Sequence, residues 1–241
     1  MEIIAHRGAS AYALENSRQA LELAWRMGAD RVELDVRTTA DGVPVVLHDA
    51  DLSRTTNGRG PIAELSWREV AKYRLLNGEP ILTLREALAL LRGKCSLYLD
   101  LKAAEAVEPT LRALQAFPTE NTILGCSRPE VLSVVSRLCP GLRTSLLVEG
   151  TGEAVLNLAK AAGASFVHLC WERYPDPTRL LTPKFLSRAR LLGLHVILWH
   201  EERPDEIAKI ARLEEVFGFC TDTPDVAVEI LRRLRRGQVG L

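Results

Sequence analysis

Short runs of Val, Ile and Leu alternate along this chain with longer stretches in which apolar residues recur every three or four positions. The short runs lie at 2–6, 31–36, 95–101, 121–126, 143–148, 165–170, 194–199 and 216–221. They are apolar at successive positions, as parallel strands buried on both faces should be. The stretches between them predict helices over 17–27, 83–92, 105–116, 129–138, 153–162, 182–192, 204–213 and 224–236. The first opens at Asn16 or Ser17 as a cap and carries Leu21, Ala24 and Trp25 on one face. Thr83 followed by Glu86 is a capping box, and Pro183 and Pro204 suit first turns. Eight such β–α units predict an α/β chain folded as one TIM (β/α)8 barrel domain over residues 1–241.

One stretch breaks the rhythm. Residues 43–60 read VPVVLHDADLSRTTNGRG, an apolar strand that runs into a His-Asp pair and then a polar loop. From Asp35 to Val43 the chain is too short for a parallel crossover, which takes about a dozen residues, and Thr39-Ala40-Asp41-Gly42 is a turn signal. Residues 43–48 are therefore expected to pair beside the second strand as an extra strand. Residues 49–80 are expected to form a small insertion after the second strand region, an extended excursion that sets Arg54, Thr55, Thr56 and Asn57 near the barrel mouth as a partial lid.

Composition narrows the setting. The 241 residues carry 31 basic and 31 acidic side chains, so no overall field argues for nucleic acid or an anionic membrane surface. The basic stretch 231–240 reads as a solvated helix face. The five cysteines never form a Cys-x-x-Cys pair and fall mostly in or beside strand-like runs, which suits small buried thiols in a reducing compartment. The first residues begin a strand at once, so no signal peptide is expected, and no apolar run approaches the ~20 residues of a membrane span. A cytoplasmic protein is the expectation. Nothing in the pattern fixes an oligomeric state.

In a TIM barrel the active site lies at the C-terminal ends of the strands, so polar residues there carry the chemistry. The first strand ends in His6-Arg7-Gly8. The second carries Glu33 and Asp35, two positions apart and therefore on one face. The extra strand ends in His48-Asp49, and the next carries Asp100 and Lys102, again two apart. The last two end in Trp199-His200 and Thr221-Asp222. Carboxylates inside an apolar strand are costly to bury alone, and a divalent cation is the natural compensation. The set reads as three carboxylates for a hard metal, two histidines for acid–base work, and Arg7 with Lys102 for an anion.

The motifs AHRGAS at 5–10, ENS at 15–17, LDLK at 99–102 and TDTPD at 221–225, and above all ELDVRTTADGVPVVLHDADLSRTTNGRG at 33–60, resemble the glycerophosphodiester phosphodiesterase family over essentially the whole chain. The resemblance implies a TIM barrel that uses a divalent cation, Mg²⁺ or Ca²⁺ with Mn²⁺ as a further candidate. It implies hydrolysis of a small-molecule glycerophosphodiester to an alcohol and sn-glycerol 3-phosphate. By matching position it implies His6 and His48 as the acid–base pair, Arg7 and Lys102 at the phosphate, and Glu33, Asp35 and Asp100 as metal ligands. It also puts Glu15 close to the metal, on the substrate side. Trp199 is expected as an apolar wall of the pocket.

The chain departs from the family pattern at a few positions. Asp100 stands where Glu is usual, Ser17 where the Glu-Asn-Thr element has Thr, and Leu14 where Pro is common. Arg128 and His200 stand where many members have Phe and Thr, which predicts a more polar rim. Two other functions compete: a lysophospholipase D-like phosphodiesterase, which needs a wide apolar entry, and an inactive barrel kept for binding, which needs no intact histidine and carboxylate set.

Overall fold

In the computed structural model, which describes residues 1–117, 121–170, 174 and 176–237, eight parallel strands close on themselves. They are β1 (Glu2–Ala5), β2 (Arg31–Thr38), β4 (Ser96–Leu101), β5 (Thr122–Cys126), β6 (Arg143–Glu149), β7 (Phe166–Cys170), β8 (His195–Trp199) and β9 (Val216–Thr221). β1 pairs with both β2 and β9, which shuts the barrel. The extra strand, β3 (Pro44–Val46), pairs antiparallel with β2 outside the closed ring, as the short connection requires. Among the described residues the helices packed around the barrel are α1 (Arg18–Arg26), α3 (Leu84–Leu91), α4 (Val107–Leu114), α5 (Pro129–Leu138), α6 (Glu153–Ala161), α7 (Pro183–Leu191), α8 (Pro204–Ile210) and α9 (Pro224–Arg235). Each follows a strand and lies near its expected range. None is long and apolar enough to cross a membrane.

Apolar burial falls into three bodies. The largest lies between strands and helices, with Leu34, Leu99, Leu124 and Val167 facing Leu21, Leu88 and Leu132. The second fills the barrel, where Ile4, Tyr98, Ile123, Phe166, Ile197, Trp199 and Cys220 meet. Not every inward position is apolar. Arg31 is fully buried, and its guanidinium donates to the Leu97 and Asn121 carbonyls at 2.7 and 2.6 Å and to Glu2 at 2.9 Å. This arginine sits at the start of β2, and backbone carbonyls at the N-terminal end of the barrel make its burial tolerable. The expectation of apolar strands does not hold there.

The third body corrects the reading of the excursion. Residues 49–80 are not a structureless loop. They contain a short 3-10 turn at Ile62–Glu64 and α2 (Trp67–Val70), which is closed by a capping box of Ser66 and Glu69. Leu52, Ile62, Val70, Leu75 and Ile81 bury against Val45 and Leu47 of the β3 segment. Short polar and turn-rich spacing between these residues hides any helical period. The excursion is a small packed layer, and Leu52 anchors the turn that carries Arg54.

The barrel interior also explains one glycine. A Cβ at Gly125 on β5 would collide with the ring and hydroxyl of Tyr98, which is fully buried. The Tyr98 hydroxyl bonds His168 Nδ1 at 2.8 Å, so the ring cannot swing away without leaving buried polar groups unpaired. Gly125→Ala should therefore lower stability by about 1–3 kcal/mol, the usual cost of overpacking. For a chain of this size that is a Tm loss of roughly 2–4 °C per kcal/mol. The loss should shrink when the same change is made in a Tyr98→Leu background. Thermal unfolding of the four proteins checks this, and an unchanged Tm for Gly125→Ala would show that the ring yields freely.

Candidate active site

Strand register assembles the site. Asp35 and Asp100 are directly paired across β2 and β4, and Glu33 lies two residues earlier on the same face as Asp35. Their ligand atoms, with one from Glu33, lie within 4.8 Å of one another, and all three residues are buried. Asp35 Oδ2 accepts a hydrogen bond from Asn16 Nδ2 at 2.7 Å and has the Arg7 guanidinium 3.2 Å away. The Lys102 ammonium lies 2.9 Å from Asp35 Oδ1, a charge contact without hydrogen-bond alignment, and donates to Asp100 Oδ2. Glu33 Oε2 accepts from the Arg7 backbone N–H at 2.7 Å, while Glu33 Oε1 has no partner.

These environments split the three carboxyls. Burial opposes ionisation of Asp35, but Lys102, Arg7 and Asn16 outweigh it and hold it below its ordinary value. Burial raises Glu33 well above the carboxylate range, and the nearby Asp35 and Asp100 raise it further. Burial raises Asp100 as well, with Lys102 offsetting only part of it and Asp35 adding to it. Three carboxylates thus share two cations, and one buried oxygen is left over. A hard divalent cation fits this donor set, since it would satisfy that oxygen and balance the excess charge.

The backbone around Arg7 is shaped for this contact. Arg7 adopts φ 55°, a left-handed conformation that is unusual outside glycine and directs its N–H to Glu33. Gly8 follows at φ 86°, where a Cβ would press on the α1 backbone at Ala20. Asn16 is also left-handed, at φ 59°, and its N–H donates to the Arg7 carbonyl. The helix cap is Ser17, which accepts from the Ala20 N–H. Asn16, weighed in sequence only as a cap, is instead a ligand-like partner of Asp35. Its place in the Glu-Asn-Ser element is the signal that could have found it.

The two histidines are held alike. The His6 N–H donates to the Thr221 carbonyl, which sets His6 beside the end of β9, and His6 Nδ1 donates to Asp222 Oδ1 at 2.7 Å. His48 Nδ1 donates to Asp49 Oδ1 at 2.6 Å, and its carbonyl accepts from Arg37 Nε at 2.6 Å. A carboxylate can only accept, so each Nδ1 carries the proton and each Nε2 is free for chemistry. The Nε2 of His6 is buried with no partner. Burial is the main influence that pushes His6 below its ordinary value; Asp222 pulls the other way and Arg7 lowers it further. Burial would raise Asp222, but His6 and Ser10 hold it down to about 2. Asp49 is likewise held to about 2, chiefly by Arg54 and then by His48.

Other expected residues fall differently. Trp199 is the wall, its ring edge-on to His6 at 4.8 Å and 5.9 Å from the Lys102 ammonium. Glu15 stands apart from the acidic cluster, between Arg7 Nη1 at 3.0 Å and the two terminal nitrogens of Arg54, each at 2.7 Å. Of the four excursion residues set near the mouth, only Arg54 reaches the site. Thr55 and Thr56 are buried, with Thr56 bonded to the Leu52 carbonyl, and Asn57 accepts from the Arg74 N–H. His200 is partly exposed and stacks on His6 at 5.0 Å. Arg128 is half-buried at the start of α5.

Among the described residues a second acidic group, His200, Glu202 and Asp222, is close enough to hold an ion. Glu202 accepts from Thr221, Thr223 and the Asp222 N–H, and Asp222 Oδ1 accepts from His6 and Ser10. Through Glu202 the group tethers the last βα turn.

Comparison with known proteins identifies the family. Residues 6–226 match the model of the glycerophosphoryl diester phosphodiesterase family. The chain is 31% identical to "Probable glycerophosphodiester phosphodiesterase 2" of Mycobacterium tuberculosis, over 98% of this chain and 91% of that one. It is 26% identical to a glycerophosphodiester phosphodiesterase of Caldanaerobacter subterraneus, over 96% of this chain and 98% of that one. Its fold matches the crystal structure of a glycerophosphodiester phosphodiesterase from Agrobacterium tumefaciens with a TM-score of 0.81 at 26% identity, covering 95% and 99% of the two chains. It also matches an Oleispira antarctica phosphodiesterase, solved with the product sn-glycerol-3-phosphate, with a TM-score of 0.86 at 23% identity, covering 96% and 97%. With a barrel that carries paired imidazoles beside a buried carboxylate cluster, and with matches of this extent, the chain belongs to the glycerophosphoryl diester phosphodiesterase family and is an enzyme of it.

Proposed function

We propose that the enzyme hydrolyses glycerophosphodiesters to an alcohol and sn-glycerol 3-phosphate, with Mg²⁺, Ca²⁺ or Mn²⁺ bound by Glu33, Asp35 and Asp100 and with His6 and His48 as proton carriers. The observation that carries this reading is the pair of imidazoles, each with Nδ1 fixed by an aspartate, beside three buried carboxylates that two cations only partly balance. When bound there, the cation would neutralise phosphate charge and act as a Lewis acid. Arg7 and Lys102 lie against the same carboxylates and add positive charge where the phosphoryl oxygens would gather.

The two histidines suit different halves of the reaction. His6 is buried and kept neutral at physiological pH, and its Nε2 lone pair suits the base that takes the proton of the attacking hydroxyl. That hydroxyl is water or the substrate's own 2-hydroxyl. The His48 side chain is 32% exposed and stands nearer the mouth, where a leaving alcohol would depart. With Nδ1 on Asp49, protonated His48 would deliver its second proton from Nε2 to the leaving oxygen. The excursion turns Leu52, Ile62, Val70 and Leu75 inward and, among the large apolar side chains described there, exposes Leu76. So small a surface favours a water-soluble diester over a substrate with an acyl chain.

Product analysis on glycerophosphocholine should yield sn-glycerol 3-phosphate and choline. Turnover should vanish after chelation and return with Mg²⁺, Ca²⁺ or Mn²⁺. The same ions should raise the Tm of the wild-type protein and not that of Glu33→Gln, because ion binding stabilises only the state that holds the ligands together. Full turnover after exhaustive chelation, or a headgroup phosphate as product, would overturn the assignment.

His6→Ala and His48→Ala should each lower kcat by ~10²–10⁴ with the fold retained. The pH profile tests which is the base. A base with a lowered value remains neutral further into acid, so the acidic limb of kcat/KM should lie below the ordinary histidine value of 6.5. A limb at or above that value would take the base role from His6.

A further inference from the structure

Arg54 lies outside the barrel, on the excursion, with a side chain that is 48% exposed. Exposed arginines usually contribute little to stability. This one engages two carboxylates at once. Its terminal nitrogens clamp Glu15 from both sides at 2.7 Å, while Nε donates to Asp49 Oδ2 and Nη2 lies 3.2 Å from Asp49 Oδ1. Those carboxylates come from separate segments, and each holds an active group. Glu15 Oε1 also accepts from Arg7 Nη1, and Asp49 Oδ1 also accepts from His48 Nδ1. A continuous path of charged contacts therefore runs Asp35, Arg7, Glu15, Arg54, Asp49, His48.

We propose that Arg54 is a positioning residue: through Glu15 and Asp49 it fixes Arg7 and His48 relative to each other, so the excursion sets the distance between the phosphate contact and the proton donor. The proposal rests on the reading above of Arg7 and His48. Its chemistry depends on the guanidinium. A planar fork can meet two carboxylates in fixed directions, which a single ammonium cannot do. Without it, two carboxylates that face each other across the gap would repel, and Asp49 could swing away from the imidazole. The turn that presents Arg54 is pinned independently: Thr56 N–H and Oγ1 both donate to the Leu52 carbonyl, and Leu52 is buried. The scaffold should therefore survive loss of the side chain.

Steady-state kinetics of the full chain on glycerophosphocholine with saturating divalent cation test this, together with thermal unfolding. Arg54→Ala should lose about 10- to 100-fold in kcat, the span seen when a partner that orients an active group is removed. Its KM should change less, and its Tm should stay close to wild type. Arg54→Lys should remain impaired. Guanidinium ion at tens of millimolar should restore part of the kcat of Arg54→Ala and none of that of His48→Ala. Arg54→Ala and Asp49→Asn should combine less than additively, because both act through one imidazole. Arg59→Ala, a loss of the same charge from the same excursion, should match wild type. If Arg54→Ala unfolds, Arg54→Gln carries the same comparison. An Arg54 variant with wild-type kcat, or a loss that guanidinium does not touch and that adds fully to Asp49→Asn, would overturn the proposal. Wild-type turnover in His48→Ala would instead overturn the underlying reading of the site.

Discussion

Three carboxylates in the wall of a buried barrel are an electrostatic constraint that shapes most of what surrounds them. Glu33, Asp35 and Asp100 have no exposed surface to speak of, so water cannot screen their repulsion. The chain answers with Arg7 and Lys102 and with the Asn16 amide, and it bends the backbone into left-handed conformations at residues 7 and 16 to bring them there. Each such conformation costs on the order of 1 kcal/mol or more. The compensation is still incomplete, since Glu33 retains an unpaired oxygen. Backbone strain thus holds in place an excess of negative charge that could hold a cation.

Around this cluster the protons are managed by geometry that the strand register dictates. Ala5 pairs with Thr221, so the residues that follow, His6 and Asp222, meet at the barrel rim although 216 positions separate them. Asp49 is the immediate neighbour of His48 and meets its imidazole directly. The long-range pair is the more buried of the two, and its imidazole is further shielded by Trp199 and His200. Burial and neighbours thus give chemically identical side chains different surroundings.

The periodicity of the chain disclosed the barrel because buried parallel strands and amphipathic helices leave different repeats, and those repeats continue through all eight units. Residues two apart on a strand face could be placed together from sequence, so Glu33 with Asp35 and Asp100 with Lys102 were legible. What could not be read was pairing between distant segments. Asp222 looked like one more strand-end acid, and Asn16 looked like a helix cap. The excursion looked extended because Leu52, Ile62, Val70 and Leu75 have no shared period; they are brought together by turns and by the face of β3. Arg31 was invisible as a buried charge because its partners are backbone carbonyls, which no side-chain pattern records.

The packed excursion has a consequence for how specificity could arise. A loop that merely hangs over a barrel mouth discriminates weakly, because its side chains sample many positions. Here the turn after His48 is anchored by Leu52 below and by an arginine fork above, so the excursion is joined to the carboxylates that contact Arg7 and His48. On the proposed reaction, departure of the alcohol and binding of the phosphoryl group would share one set of contacts. Polar change at this border would be felt in turnover before it is felt in affinity. On the proposed reaction, substitutions in the excursion that leave Asp49, Leu52 and Arg54 intact would leave the chemistry unaltered.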